Sequence, residues 1–202
     1  MLFASRIEPG CVYSKGVGED NESATLAQIS QAFATVVTDR RRLLDVIART
    51  AADLVGDGCA VFLLAPDRDA LRMVSAAHRV RALEVAHREY MAGTPIRMAT
   101  STTNTASVVR TGNPVLVPTL DPAALAAKAD PVLQPIIEQL KVSSLCIVPV
   151  RARGVVIGAM ALLRSRPDAP YSQDDQRLLE DLAERAGLAI DEARVAADAE
   201  SH

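Results

Sequence analysis

The sequence contains no tryptophan, and aromatic residues make up only 3% of its 202 positions. So few aromatic side chains argue against a tryptophan-lined carbohydrate site and against a platform on which nucleic-acid bases stack. Alanine, valine and leucine must therefore build the core, and apolar residues, at 49% of the chain, are numerous enough to do so. The length is that of one domain, with room for a helical extension.

The sequence also lacks a large excess of charge of one sign, since its formal net charge is −3. Its basic run, Arg40–Arg42, is short and lies where a helix is predicted to begin, which favours a solvated helix end over a nucleic-acid patch. The longest apolar runs are strand-sized, too short to span a bilayer, and the first residues have no signal-peptide core. We expect a cytoplasmic protein without nucleic-acid or membrane partners.

Cysteine is scarce: Cys11, Cys59 and Cys146 are the three in the chain. An odd number does not suit a disulfide framework, and the spacings match no zinc pattern, so no metal site is expected. Cys146 lies within an apolar run, which favours a buried structural thiol over a nucleophile.

Hydrophobic periodicity divides the first half of the chain into helices and strands. Residues 1–22 are polar and glycine-rich and are expected to be a flexible lead-in to a single domain over residues 23–199. Ser23 is suited to cap a first helix, and a second helix, apolar on one face from Leu43 to Val55, ends at Gly56. Two strands, Cys59–Pro66 and Leu71–His78, form a hairpin, and residues 79–91 form a helix.

The second half contains an irregular segment, a long hairpin and a last helix. Within residues 96–142 the pattern predicts only a short helix from Asn104 and a brief strand at Val115–Val117. The run "SSLCIVPVRARGVVIGAMALLRS" then predicts strands at Ser143–Val150 and Val155–Arg164, joined by a turn at residues 151–154. A helix beginning near Ser172 runs to about residue 199.

This order of elements predicts an α+β fold. Strands joined by hairpins form an antiparallel sheet, and helices at both ends of the chain pack on one of its faces. The irregular middle segment must then cover the other face.

Four stretches carry a resemblance to a known family: "RLLDVIARTAADLVGDGCAVFLL", "VVRTGNPVLVPTLDP", "LKVSSLCIVPVRARGVVIGAMALLRS" and "YSQDDQRLLEDLAERAGLAIDEAR". Their order and spacing over residues 39–195 resemble the GAF domain family. The resemblance implies a PAS-related antiparallel sheet of five to six strands. It also implies a non-enzymatic sensory or regulatory module that binds a small ligand and is commonly dimeric. A kinase, a phosphatase or a transcription regulator is the output it suggests.

The ligands known for GAF domains each require particular residues, and the sequence has few of them. The cyclic-nucleotide signature survives only in altered form, at Arg164–Ser165, Tyr171 and Asp174–Asp175, and no Cys-His pair exists for bilin. Haem would need an axial histidine, either His87 or, second in preference, His78. The branch that reduces free methionine sulfoxide needs an accessible reactive thiolate, which the apolar settings of Cys59 and Cys146 disfavour.

A ligand would lie between the sheet and the middle segment. Polar residues predicted to line that space are His87, Tyr90, Arg97, Asn104, Asp121, Ser143 and Ser144. Arg97 would suit an anionic ligand, whereas the alternative for each residue is a loop cap or a solvated loop group.

Dimerisation is the other function that the sequence suggests. A stripe on the last helix (Leu179, Leu182, Ala186, Ile190 and Ala193), and one on the first helix, either pack only on the sheet or also pair across a two-fold axis. We expect the second arrangement, a homodimer through the terminal helices. A module that only dimerises, without a ligand, remains the alternative.

Overall fold

The computed structural model of the protein describes residues 27, 29–36, 39–92, 95–127 and 138–200. Its helices are α1 (Arg40–Leu54), α2 (Arg81–Ala92), α3 (Asn104–Thr111), α4 (Pro122–Ala127) and α5 (Gln173–Glu200). Its strands are β1 (Gly58–Leu64), β2 (Ala70–His78), β3 (Ile96–Arg97), β4 (Val115–Val117), β5 (Ser144–Ala152) and β6 (Val155–Arg164). Residues 29–34 are also helical, whereas the predicted lead-in, residues 1–22, lies outside the described residues.

The strands form one six-stranded antiparallel sheet in the order β3-β2-β1-β6-β5-β4. The α+β class and the antiparallel sheet are therefore as predicted. Strands β1 and β6 form its centre, and β5 lies between β6 and the edge strand β4. The turn of the β5–β6 hairpin is tighter than expected because Ala152 still pairs with Val155. Arg153 and Gly154 have φ values of 50° and 80°, which a two-residue hairpin turn requires.

The terminal helices α1 and α5 pack on one side of this sheet, here called the first face. The two helices bury Leu43, Ile47, Leu179 and Leu182 against the sheet. The strand residues in this core are alternate residues that point to the first face: Cys59, Val61, Cys146, Val148, Met160 and Leu162. Cys59 and Cys146 are free thiols within this core. The predicted structural role of Cys146 is confirmed.

Two glycines allow unusually close packing. A Cβ atom on Gly158 would lie 2.0 Å from the carbonyl oxygen of Phe62; a glycine inside a strand often marks such a close backbone approach. A Cβ atom on Gly187 would lie 1.9 Å from the carbonyl oxygen of Arg151. Helix α5 therefore rests directly on the backbone of β5, a contact that the hydrophobic pattern does not reveal.

Pro149 lies where β5 has a strand on one side only among the described residues. Strand β4 pairs with β5 from Leu145 to Ile147 and reaches no further, and a bulge follows between Val150 and Arg151. Proline has no N–H to donate to a ladder, so it favours such positions.

Helix α1 begins at the basic run, where the sequence predicts a helix start. The Asp39 carboxylate accepts a hydrogen bond of 3.0 Å from the Arg42 N–H and caps α1, and Arg41 and Arg42 are exposed on its first turn. Among the described residues, no helix combines the length and the apolar character that crossing a bilayer would require.

Candidate functional site

The side of the sheet opposite the terminal helices, here called the second face, is covered by the middle of the chain. Val108 and Val109 of α3 pack there against Phe62, Ile147 and neighbouring alanines of the central strands. The predicted arrangement, terminal helices on one face and the middle segment on the other, is therefore confirmed.

Three alanines from neighbouring strands lie side by side on the second face. Ala60 of β1 pairs with Ala76 of β2 and with Ala161 of β6, and all three are at most 5% exposed. We call this set the alanine row. A methyl group extends little from a sheet, so the row forms a low, apolar floor beneath the elements that cover it.

An apolar cluster of residues from α2, the middle segment and β6 lies beside the alanine row. Its buried members, Leu140 and Val142, pack with Leu83, Leu120, Leu125 and Leu163. We call these six residues the leucine cluster. Leu163 is the strand partner of Gly58, two residues before Ala60 and hence on the same face.

His78 ends β2 directly opposite Gly58 and is 4% exposed. A Cβ atom on Gly58 would lie 2.6 Å from Cδ2 and 3.4 Å from Nε2 of His78. The absence of a side chain at Gly58 therefore admits the imidazole, whose Cδ2–Nε2 edge lies over the second face.

The hydrogen bonds of His78 fix which ring nitrogen carries the proton. The Val80 N–H donates to Nδ1 at 2.9 Å, so Nδ1 presents its lone pair. Burial lowers the pKa of His78, against an opposing effect of the Asp57 carboxylate, which favours the neutral ring. The proton then belongs to Nε2, and this atom has no hydrogen-bond partner within the described part of the chain.

This tautomer bears on the haem hypothesis. A histidine that ligates iron offers a ring lone pair and carries its proton on the other nitrogen. In His78 the inward nitrogen carries the proton, and Nδ1 is already paired with the Val80 N–H. His78 therefore does not fit the role of a haem ligand in this arrangement. His87 lies in α2, but its side chain lies outside the described residues.

A buried carboxylate holds α2 against the sheet and against α1. Glu84 of α2 is 2% exposed. It accepts hydrogen bonds from the His78 N–H at 3.1 Å, from Arg81 at 2.6 Å and from Arg49 of α1. Desolvation raises the pKa of Glu84, but the hydrogen bonds from His78 and Arg49 outweigh it and leave the pKa lowered. The carboxylate is therefore charged when the protein is folded at neutral pH.

A second connection parallels that of Glu84. Arg88 of α2 donates to the Ala76 carbonyl oxygen at 2.7 Å and to the Asp45 carboxylate of α1 at 3.0 Å. Ser75 of β2 donates to the same carboxylate at 2.6 Å. Helix α2, which belongs to the cover of the second face, is thus joined by two polar links to the terminal helix α1.

The two serines predicted to line the site use their hydroxyl groups within the fold. Ser143 is 6% exposed and donates to the Arg164 carbonyl oxygen at 3.1 Å. Ser144 is fully buried, donates to the Val117 carbonyl oxygen at 3.1 Å and accepts from the Tyr171 N–H at 2.9 Å. These hydroxyls fasten the start of β5 to its neighbours.

Three of the other predicted site residues, Arg97, Asn104 and Asp121, are exposed. Arg97 forms an exposed pair with Asp69 at 3.0 Å. It pairs with Ala70, the first residue of β2, whereas His78 is the last, about 25 Å away by strand geometry. Asn104 is the exposed first residue of α3, and Asp121 accepts from the Ala123 N–H at 3.0 Å. Tyr90 lies in α2, and its side chain, like that of His87, is outside the described residues.

The residues at the altered cyclic-nucleotide signature make internal contacts. The Arg164 guanidinium lies 4.0 Å from the centre of the Tyr171 ring and donates to the carbonyl oxygens of Ala169, Pro170 and Val55. It also lies 3.7 Å from the Asp175 carboxylate. The cluster joins β6 to the ends of α1 and α5, which is a structural role.

Comparison with known proteins gives one family and several solved structures. The family model described as "GAF domain" matches residues 39–190, and no curated protein matches the chain. Among solved structures, the GAF domain of an Acinetobacter phosphoenolpyruvate-protein phosphotransferase is 16% identical, with a TM-score of 0.64 and coverage of 88% of this chain and 97% of that one.

Two further structures extend the range of proteins that share the fold. Free methionine-R-sulfoxide reductase from Neisseria meningitidis, solved with its substrate, is 19% identical, with a TM-score of 0.63 and coverage of 91% and 96%. A methyl-accepting chemotaxis protein, residues 122 to 287, is 16% identical, with a TM-score of 0.60 and coverage of 84% and 98%. At these identities the structures show a common fold, and each protein's activity remains its own.

Proposed function

The chain belongs to the GAF domain family, a family of sensory and regulatory modules of signalling proteins, and from that premise we propose that it binds a small ligand on the second face and passes its state to the terminal helices. The observation that carries the proposal is the alanine row. Ala76, Ala60 and Ala161 form a floor of methyl groups on the face that the middle of the chain covers.

The composition of the second face suits a small-molecule site. Ligand sites are mostly apolar and carry a few polar groups that orient the ligand. Here the apolar surroundings come from the alanine row and the leucine cluster, and the polar group is the inward edge of His78. We propose a cytoplasmic location for the module, in keeping with its reduced thiols.

Two chains of contacts connect the cover of the second face to the terminal helices. The first is the pair of links from α2 to α1, through Glu84 with Arg49 and through Arg88 with Asp45. The second begins at α3, whose final Gly112 carbonyl accepts a hydrogen bond of 2.6 Å from Arg151. The carbonyl of Arg151 in turn touches Gly187 of α5.

These contacts support a mechanism of population shift. A ligand that binds better when the cover is closed favours that arrangement by the difference in its affinity for the two states. Because α2 and α3 are tied to α1 and α5, a change in the cover alters the position of the terminal helices. A kinase, a phosphatase or a transcription regulator would receive this change.

Helix α5 also supports the proposal of a homodimer. Leu188 and Val195 are 47% and 46% exposed and are seven residues apart, which places them on one side of the helix. The apolar residues Leu179, Leu182, Ala186, Ile190 and Ala193 are buried on the first face. The proposed interface therefore uses a different stripe from the one that the sequence suggested.

We propose that the module is not an enzyme, although one solved relative of the fold is a reductase. Cys59 and Cys146 lie in the core of the first face, away from the proposed ligand site. Burial raises the pKa of both thiols, that of Cys146 to about 12, and a thiol of this kind is a poor nucleophile. Cys11 lies outside the described residues.

A thermal-shift screen of a library of soluble metabolites on two proteins tests the proposal. Compounds should stabilise the wild type and fail to stabilise Ala161→Leu, which fills the alanine row, whereas the exposed control Val155→Leu should behave as the wild type. The proposal is wrong if no compound binds and Ala161→Leu loses the ~1–3 kcal/mol typical of an overpacked core. That result would favour a module that only dimerises.

A further inference from the structure

We propose that the Nε2–H group of His78 is the donor that recognises the ligand, and that the ligand is a neutral molecule with an apolar body and a carbonyl oxygen. The inference rests on the proposed function, since it assigns the chemistry of the same second face. It follows from three features: the tautomer of His78, the burial of its Nε2, and the neighbouring carboxylates, whose cationic partners are already paired with them.

The donor is fixed in place by groups that no ligand needs to supply. The Val80 N–H holds Nδ1 at 2.9 Å, and the His78 N–H is bound to the Glu84 carboxylate at 3.1 Å. Gly58 leaves the space that the ring occupies. A ring held at both its backbone and its outer nitrogen keeps Nε2–H directed over the second face.

An unpaired buried donor is unusual in folded proteins and calls for an explanation. Two other buried polar atoms also have no partner among the described residues, the Tyr171 hydroxyl and Nε of Arg164. Tyr171 belongs to the core of the first face, with the Arg164 guanidinium over its ring. Of these three atoms, Nε2 of His78 is therefore the one that lies on the face proposed to bind the ligand.

The surroundings determine the charge of the acceptor. The carboxylates of Asp57 and Glu84 act on His78 from nearby, and Arg49 is engaged by Glu84. Asp57 is itself paired with Arg166 at 3.1 Å. A carboxylate on the ligand would be repelled by these acids, because the arginines described around them, Arg49 and Arg166, are already paired with Glu84 and Asp57. An ammonium group has no lone pair with which to accept a hydrogen bond from Nε2–H. A ketone, ester or amide oxygen satisfies both conditions.

The body of the ligand is defined by the apolar residues beside the donor. Gly58 precedes Ala60 of the alanine row by two positions, and its other strand partner, Leu163, belongs to the leucine cluster. An aliphatic ring or short chain attached to the carbonyl group would contact both sets. Transfer of such a group from water to apolar surroundings is favourable.

A matched pair of probes tests the assignment: cyclohexanone and methylenecyclohexane, which have the same shape and differ in the carbonyl oxygen. Both are titrated into uniformly ¹⁵N-labelled protein, with backbone amides and the histidine ring nitrogens observed by NMR. In the wild type, cyclohexanone should bind about tenfold more tightly, the effect of satisfying one buried donor, and should shift the Nε2–H resonance of His78.

Two variants separate the donor from the shape of the site. His78→Phe should bind both probes equally, and His78→Gln, whose side-chain amide is a donor, should restore part of the preference for cyclohexanone. The inference is wrong, and the proposed function stands, if both probes bind the wild type equally on the second face. The same holds if cyclohexanone binds there without shifting the Nε2–H resonance of His78. If neither probe shifts any residue of the second face, the inference and the proposed ligand site both fail.

Discussion

The Val80 N–H and Nδ1 of His78 are joined by a hydrogen bond of 2.9 Å. A protonated Nδ1 would place two donors against each other, so the bond persists only while the ring is neutral. Burial lowers the pKa of His78 below its ordinary value of 6.5, in agreement with this geometry. The groups that act on the ring from neighbouring elements are Asp57, Glu84 and Arg49.

We therefore predict that His78 makes stability depend on pH in mildly acidic solution. Below pH 6.5 His78 takes up a proton in the unfolded chain, whereas in the folded protein its pKa is lower and it stays neutral. The free energy of unfolding therefore decreases as the pH falls from 6.5 towards the folded pKa, and His78 adds no pH dependence above 6.5. Chemical denaturation from pH 5 to pH 8, compared with His78→Gln, measures this effect. A wild type and a variant with identical slopes would contradict the prediction.

The buried carboxylate of Glu84 should contribute strongly to stability. Glu84→Gln removes the charge while Arg49, Arg81 and the His78 N–H remain around it, and we expect a loss of about 3 kcal/mol in the free energy of unfolding. The matched control is Asp69→Asn, which breaks an exposed pair with Arg97 and should cost less than about 0.5 kcal/mol. Equal losses in urea denaturation would contradict the proposed role of Glu84.

Gly187→Ala should destabilise the protein although alanine is the better helix former. Within a helix this change usually gains about 1 kcal/mol, but here the new methyl group would lie 1.9 Å from the Arg151 carbonyl oxygen. We expect a net loss of about 1–3 kcal/mol in the free energy of unfolding, as for overpacked sites. Glu184→Ala, at an exposed position of the same helix, is the control and should change stability little.

The buried cysteines should be unreactive. In a Cys11→Ser background, Cys59 and Cys146 remain, both enclosed in the core of the first face. We expect Ellman's reagent to label neither thiol in the native protein and both after denaturation, because the reactive species is the thiolate. Rapid labelling of the native protein would reopen the hypothesis of a thiol enzyme.

The proposed dimer should depend on the exposed stripe of α5. Light scattering coupled to gel filtration should show a dimer for the wild type and a monomer for the double variant Leu188→Glu, Val195→Glu, since charges there oppose association. Val155→Glu changes an equally exposed valine at the hairpin turn and should remain dimeric. A monomeric wild type, or a dimeric double variant, would contradict the interface.

Elements with a strong apolar period could be predicted from the sequence. The β5–β6 hairpin and the β1–β2 pair were located closely because buried runs there are bounded by turn residues. Strand β3 escaped prediction because two residues, Ile96 and Arg97, carry no alternation. Helix α4 escaped because Pro122 opens a six-residue segment too short to show a helical period.

The candidate site was less predictable, because residue type does not show whether a polar atom already has a partner. Ser143 and Ser144 looked available in the sequence, yet both hydroxyls bond within the fold. Arg97 was expected near a ligand, but strand register pairs it with Ala70, at the end of β2 far from His78. His78 ranked below His87 as a haem ligand. Its tautomer depends on a hydrogen bond from the backbone of Val80, which the sequence does not show. A glycine opposite a histidine, as at Gly58, is the signal that could have singled it out.

The contact between Gly187 and the Arg151 backbone is a fulcrum, a fixed point about which α5 can tilt. From that point the helix continues to Glu200, about 20 Å at 1.5 Å per residue. A tilt of about 5° at the fulcrum would move the far end by about 2 Å, the scale of helix shifts that switch subunit interfaces. Leu188 and Val195 lie on this part of the helix, so a small rearrangement at the end of β5 would displace the two helices of the proposed dimer relative to each other.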